Sequence, residues 1–460
     1  MLPTAPAHHK HAHVRPAGRL APPAAWRTAI GAAALATLAF TVAPSPATAQ
    51  AARAASASTA RVAARTSDYW VYVGAESADL IHRIRFGPGG TAVEKTTAIG
   101  ELAAEMEGPH GLQISRDGKY LHMTTGHGTP DGKYWKYALG PDTLVGPPIF
   151  LGFFPASIDV TPDGLYAFAV NFNLHGEMVP SSVSVIYTPT NTEVAQTTTC
   201  TMPHGSRLDP SGMRQYSTCM MDDQLVELDA TSFQVARRFS LAKGKEGAVT
   251  VAAADAHAGH GMAMPAAGTP AVSTPAAGTP AAAPDSLAEG AGKHTMTVTC
   301  SPTWAQPSAD GAKIYVACNK ADEIVEVDRA GWRVARRFKT GRGPYNLAVS
   351  PDGRLLVATL KQGGAVEVFD LATGTSVMQA KSSTTVTHGV VVSPDSRYAF
   401  VSSEGKGAEP GKVDVWDLRA RQRVGSADVG QQAGGIAFWK MAAASRTPAA
   451  KAASALSGSR

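Results

Sequence analysis

The sequence predicts an all-β fold: a seven-bladed β-propeller with four-stranded blades, closed by a split blade joining the N- and C-terminal strands. Three observations predict it: a recurring turn tetrapeptide, a near-constant step between its copies, and four short apolar runs per step. The tetrapeptide stands at 115–118, 161–164, 209–212, 308–311, 350–353 and 393–396, as in Ser350-Pro351-Asp352-Gly353. Proline at the second place has its φ preset, and Asp and Gly accept the conformations that follow, so each copy makes a hairpin turn. The third residue falls at 117, 163, 211, 310, 352 and 395, in steps of 46, 48, 99, 42 and 43. The long step contains an insert, 243–298; without it, 69–439 leaves 315 residues, 45 for each of seven blades. One domain is expected where 460 residues would by default suggest two or three.

In chain order, residues 1–49 read as a secretory signal peptide. Lys10, Arg15, Arg19 and Arg27 precede an apolar stretch from Thr28 to Ala43, and Ala47-Thr48-Ala49 offers a cleavage site. The stretch is short for a membrane span, so no span is expected after signal removal. Residues 50–67 form an Ala-rich, disordered lead-in. The propeller follows over 68–439, and its seventh blade is split: Gly434–Trp439 supplies the inner strand and 69–99 the other three. Such closure leaves no long open edge. Residues 440–460 make a disordered basic tail.

Charge is uneven along this plan. Residues 1–67 and 440–460 together hold eleven Lys/Arg and no acid, leaving 31 basic against 37 acidic residues between them. A mildly acidic body argues against nucleic acid or anionic membrane as the main partner. The chain is read as a monomer whose partner is a metal ion or small molecule, or another exported protein.

The repeats His388-Gly389-Val390-Val391-Val392-Ser393-Pro394-Asp395 and Val413-Asp414-Val415-Trp416-Asp417-Leu418 resemble the YVTN (YncE-like) family of bacterial seven-bladed propellers. The resemblance covers about 69–439 and implies the fold; propellers host binding, hydrolysis and redox chemistry alike.

Seven residues before each turn's third residue lies the start of an innermost strand, at the channel rim. These positions read His110, Ala156, His204, Thr303, Tyr345 and His388, with Gly434 in the split blade. Three imidazoles reaching one cavity from different sides can bind one metal ion with a coordination position left open. The alternative use of a rim histidine is to hold neighbouring loops by hydrogen bonds. The insert 243–298 is Ala/Gly/Thr/Pro-rich and carries His257, His260, Met262 and Met264, with His294 and Met296 near its end. Met has no core to fill in such a segment, and His with Met suits copper. The expected ligands are therefore His110, His204 and His388, with His257, His260, Met262 and Met264 as a lid or delivery segment and copper as the cofactor. His127, His175, Met220 and Met221 fall on the same face, whereas His82 and His122 fall within strands.

The arrangement resembles the His-ringed channel site of the nitrous oxide reductase propeller. It departs from it in having three rim histidines and no cupredoxin domain. An open position also resembles the copper-dependent methanethiol oxidases, which implies oxidation of a small substrate. A metal-free scaffold and a lactonase-like hydrolase are the alternatives; the hydrolase calls for carboxylate ligands. Glu76, Glu107, Asp222, Asp322 and Glu404 lie on loops, but their spacing nominates no acid/base pair.

Cys200 with Cys219, and Cys300 with Cys318, each bracket one hairpin. Even number and duplicated spacing in an exported chain predict two disulfides so paired. Thiolate ligation of copper by Cys219 and Cys318 is the less expected use. There is no G-x-S-x-G elbow, phosphate loop, C-x-x-C-H or H-E-x-x-H motif.

Overall fold

The turn chemistry forms as the tetrapeptides dictate. In the computed structural model, Ser350 Oγ donates to Asp352 Oδ1 at 2.6 Å, and the Gly353 amide donates to the Ser350 carbonyl at 2.8 Å. Gly353 has φ 69°, a conformation glycine adopts freely. In the 209–212 turn the two polar residues exchange places, and Ser211 Oγ donates to Asp209. The structure describes residues 66–102, 104–127, 132–250 and 298–444. The expected signal peptide, nearly all of the lead-in, the segment with His257, His260, Met262 and Met264, and residues 445–460 lie outside them.

Seven antiparallel sheets follow one another, each with its innermost strand first in sequence except in the split blade. That blade, blade one here, pairs Ala433–Ala443 with Ser67–Ala75, followed by Leu80–Gly87 and Gly90–Ala98. Its inner strand runs past Trp439, because Lys440–Ala443 pair with Ser67–Trp70 beyond a bulge. Part of the expected basic tail is therefore strand. Two blades depart from four strands. Blade two breaks its outer strand into Thr143–Leu144 and Ile149–Phe150, since Gly146, Pro147 and Pro148 interrupt the ladder and proline has no amide to donate. Blade four gains an outer strand, Gly247–Val249, from the beginning of the insert.

The core lies between blades. Across the closure, Phe86 of blade one meets Tyr398 of blade seven edge-on at 5.0 Å, and Tyr69 meets Tyr398 at 5.1 Å. Val71, Val73, Val413 and Val415 fill the same layer. Fully burying a side chain such as Phe86 stabilises by roughly 1.5–3 kcal/mol.

Disulfides join Cys200 to Cys219 and Cys300 to Cys318, and no cysteine is left for thiolate ligation. Such bonds fit a protein of an oxidising compartment. Among the described residues no helix is long and apolar enough to cross a membrane.

Candidate metal centre at the channel mouth

Each rim residue named above is the second or third residue of its innermost strand. Proline precedes it in five blades, at Pro109, Pro155, Pro203, Pro302 and Pro344. The shared register carries His110, His204 and His388 into the channel, where all three are buried. Ring centroids of His110 lie 6.2 Å from His204 and 5.5 Å from His388.

Hydrogen bonds decide which nitrogens are available. His110 Nδ1 donates to the Ala156 carbonyl at 2.6 Å, and His204 Nδ1 to the Thr303 carbonyl at 2.8 Å. Both acceptors are rim residues of the next blade, so the loop-tethering use of a rim histidine is real and occupies one nitrogen. A carbonyl only accepts, which fixes the proton on Nδ1 and leaves Nε2 as the lone-pair nitrogen of the uncharged ring. The two rings then part ways. His204 Nε2 meets the Tyr345 hydroxyl at 2.9 Å, so both its nitrogens are used. Burial, with His110 and Lys361 adding, pushes the His204 pKa down to about 3. His110 Nε2 faces Glu76 Oε1 at 3.6 Å.

Glu76 comes from the connection after Ser67–Ala75 in blade one and is 2% exposed. Its Oε2 accepts from Gln432 Nε2 at 3.0 Å and from His127 Nε2 at 3.2 Å. Its Oε1 is left toward His110. Glu76, His110 and His388 each offer one ligand atom, and these atoms all lie within 4.8 Å of one another. The three residues sit on consecutive blades two, one and seven. Of the three expected rim ligands His110 and His388 fall in this group and His204 does not; its Nε2 meets the hydroxyl of Tyr345, which stands in the widest gap between rim histidines.

His388 Nδ1 is buried with only a weak backbone contact to Gly434 of the split blade, and its Nε2 lies 3.7 Å from Glu404 Oε1. Burial first, then the Lys361 cation and the other two rings, hold its pKa well below the ordinary imidazole value. Glu404 Oε1 is paired with Lys361 Nζ at 3.0 Å. Burial works against the Lys361 charge, but Tyr345 and Glu404 outweigh it and raise its pKa. The sequence placed Glu76 and Glu404 on loops without a role and gave none to Lys361; Glu76 and Lys361 do lie in connections outside the repeat register, whereas Glu404 ends the strand Tyr398–Glu404, opposite Val386. His175 packs on His127 at 6.1 Å between ring centroids. Met220 is part of a small cluster with Phe154 and Phe172.

No family model matches the chain, and no curated protein matches it. Solved structures do. The Pseudomonas aeruginosa periplasmic gluconolactonase PpgL is similar at TM-score 0.57 and 15% identity, over 81% of this chain and 99% of that one. The β-propeller domain of Myceliophteria thermophila Cps50 (Swd1) gives 0.52 and 12%, over 75% and 92%. Kuenenia stuttgartiensis hydrazine synthase gives 0.50 and 15%, over the same shares. At these identities the likeness establishes the propeller fold alone.

Proposed function

We propose that this chain is an exported, YVTN-type propeller binding one divalent transition-metal ion at the channel mouth through Glu76, His110 and His388. One observation carries the reading. With Nδ1 held by the Ala156 carbonyl, His110 turns Nε2 toward a buried carboxylate oxygen 3.6 Å away, and a ligand atom of His388 joins them. Converging lone pairs in a buried site repel one another, and a cation among them reverses the sign.

Copper is the proposed ion, since Cu²⁺ heads the affinity order of first-row divalent ions for nitrogen and oxygen donors. Such an ion, with a position open, would polarise a carbonyl or activate water, and copper adds electron transfer. The chain's own part is orientation. The Ala156 carbonyl sets the His110 tautomer, Gln432 and His127 hold Glu76, and Lys361 holds Glu404. The segment with His257, His260, Met262 and Met264 is proposed to deliver copper, and the basic, apolar N-terminus to direct export.

One observation favours hydrolysis as a second reading. Two imidazoles and a carboxylate are also a donor set of catalytic zinc, and one structural neighbour is named a gluconolactonase. Metal identity separates the two. Mature protein is titrated with Cu²⁺ and with Zn²⁺ by calorimetry, beside a Glu76→Gln/His110→Ala/His388→Ala variant. The variant is expected to lose one equivalent. Equal stoichiometry and affinity in both proteins would mean that these three residues hold no metal, leaving the mouth a metal-free scaffold.

A further inference from the structure

The channel mouth has two chemically opposite flanks, and the ligand trio lies between them. On the side of blades six and seven, Lys361 Nζ sits 4.5 Å from the ring centroid of Tyr345, and that ring packs on His388 at 4.8 Å. Charge there is countable: Glu76 and Glu404 against Lys361. A divalent ion added to these three groups leaves one positive charge in excess, which a monoanion neutralises.

The blade-three side is apolar. Phe154 packs edge-on against His110 at 5.3 Å and His127 at 5.0 Å, and Phe172 against His204 at 4.7 Å. Two connections form this wall, tied by the Phe172 amide on the Phe154 carbonyl at 2.8 Å and the Asn173 amide on the Phe153 carbonyl at 2.9 Å. From the same connections, Phe153, Leu174 and Met178 stand exposed, Phe153 at 51% and Met178 at 65%. Large apolar side chains grouped on two tied loops beside a polar cluster mark a binding surface.

We infer that the mouth binds a small amphiphilic monocarboxylate, its head on the metal-bearing side with Lys361 and its apolar body against Phe153 and Leu174. This rests on the metal reading above. The head is recognised by charge and by the N–H of Lys361 that Glu404 and Tyr345 leave over; the body is recognised by area, which predicts a dependence on chain length. A fully covered methylene strengthens binding about fourfold, and a half-covered one about twofold.

Calorimetry on the full-length, metal-loaded protein tests this with acetate, butyrate and hexanoate, and with hexanol and hexylammonium as controls. Affinity is expected to rise two- to fourfold per methylene, with hexanol and hexylammonium at least tenfold weaker than hexanoate. Lys361→Met should weaken all three acids about tenfold with an unchanged chain-length slope, the loss of one charge-assisted hydrogen bond. Lys361→Arg should restore most of it. Phe153→Ala/Leu174→Ala should flatten the slope and leave acetate alone. Affinity independent of chain length, hexanol binding as tightly as hexanoate, or Lys361→Met binding acids like the parent would each overturn the inference. Metal content measured first keeps the two readings apart: a loaded protein that fails these tests refutes only the ligand class, whereas a protein that takes up no metal refutes the centre itself.

Discussion

Acidification should destabilise the propeller through a histidine far from the mouth. His122 lies in the strand Tyr120–Thr125 of blade two, 1% exposed, with Nδ1 2.8 Å from the Tyr134 hydroxyl and Nε2 without a partner. Burial, reinforced by the Lys136 cation, pushes its pKa down to about 3. The unfolded chain titrates near 6.5, so between about pH 3 and 6.5 the unfolded state binds the extra proton. Stability is therefore full above about pH 6.5 and drains as the pH falls below it. At about 1.4 kcal/mol per unit, the loss from this residue reaches about 2 kcal/mol at pH 5. Guanidinium unfolding at pH 7.5 and 5.0 reads it, with His122→Asn as the partner variant. The Asn amide can occupy the place of Nδ1 beside Tyr134 and does not titrate. The variant should lose about 2 kcal/mol less than the parent between the two pH values. Equal losses would refute the reasoning and show that His122 is protonated without cost in the folded chain.

Other consequences can be checked on the same instruments. Removing either disulfide, as Cys200→Ser/Cys219→Ser or Cys300→Ser/Cys318→Ser, should cost about 3 kcal/mol, since each closes a loop of 19 or 18 residues; denaturation midpoints unmoved by the changes would contradict this. Asp223 accepts from the amides of Thr299, Cys300 and Ser301 where the chain returns from the insert. Asp223→Ala should therefore cost about 3 kcal/mol in thermal or chemical unfolding, and Asp223→Asn clearly less, because Asn keeps an acceptor and tolerates the φ of 49°. Tyr345→Phe leaves His204 Nε2 buried without its donor and should cost about 1–3 kcal/mol; an unchanged unfolding midpoint would mean that water replaces the hydroxyl.

The fold was legible because a propeller repeats its instructions. Ser-Pro-Asp-Gly turns at steps of 42 to 48 residues locate the strands on both sides, and the register placed His110 and His388 at the rim, as observed. The completion of the candidate site was not legible, for reasons visible in three residues. Glu76 belongs to a connection with its own short 3-10 turn, so repeat spacing says nothing of where its carboxylate lies. Tyr345 stood in the rim list, but periodicity reports which strand a residue starts and not that its hydroxyl reaches His204 two blades away. Lys361 follows the strand Leu355–Leu360 in a loop, where a long side chain chooses among several directions. The disulfides were legible from the duplicated spacing and not from register alone: Cys219 and Cys318 stand opposite Pro203 and Pro302, and Cys200, near the end of the strand Thr192–Thr201, and Cys300, just before Pro302–Pro307, reach them from the chain leading into each hairpin.

The central claim is that a buried carboxylate and two imidazoles from three successive blades share one cation. Anomalous diffraction at the copper and zinc edges, on crystals of mature protein grown with each metal, addresses it most directly. One peak is expected about 2.0–2.2 Å from Glu76, His110 and His388, with His204 still bonded to Tyr345. Density that shuns these three residues, or that gathers on His204 instead, would contradict it.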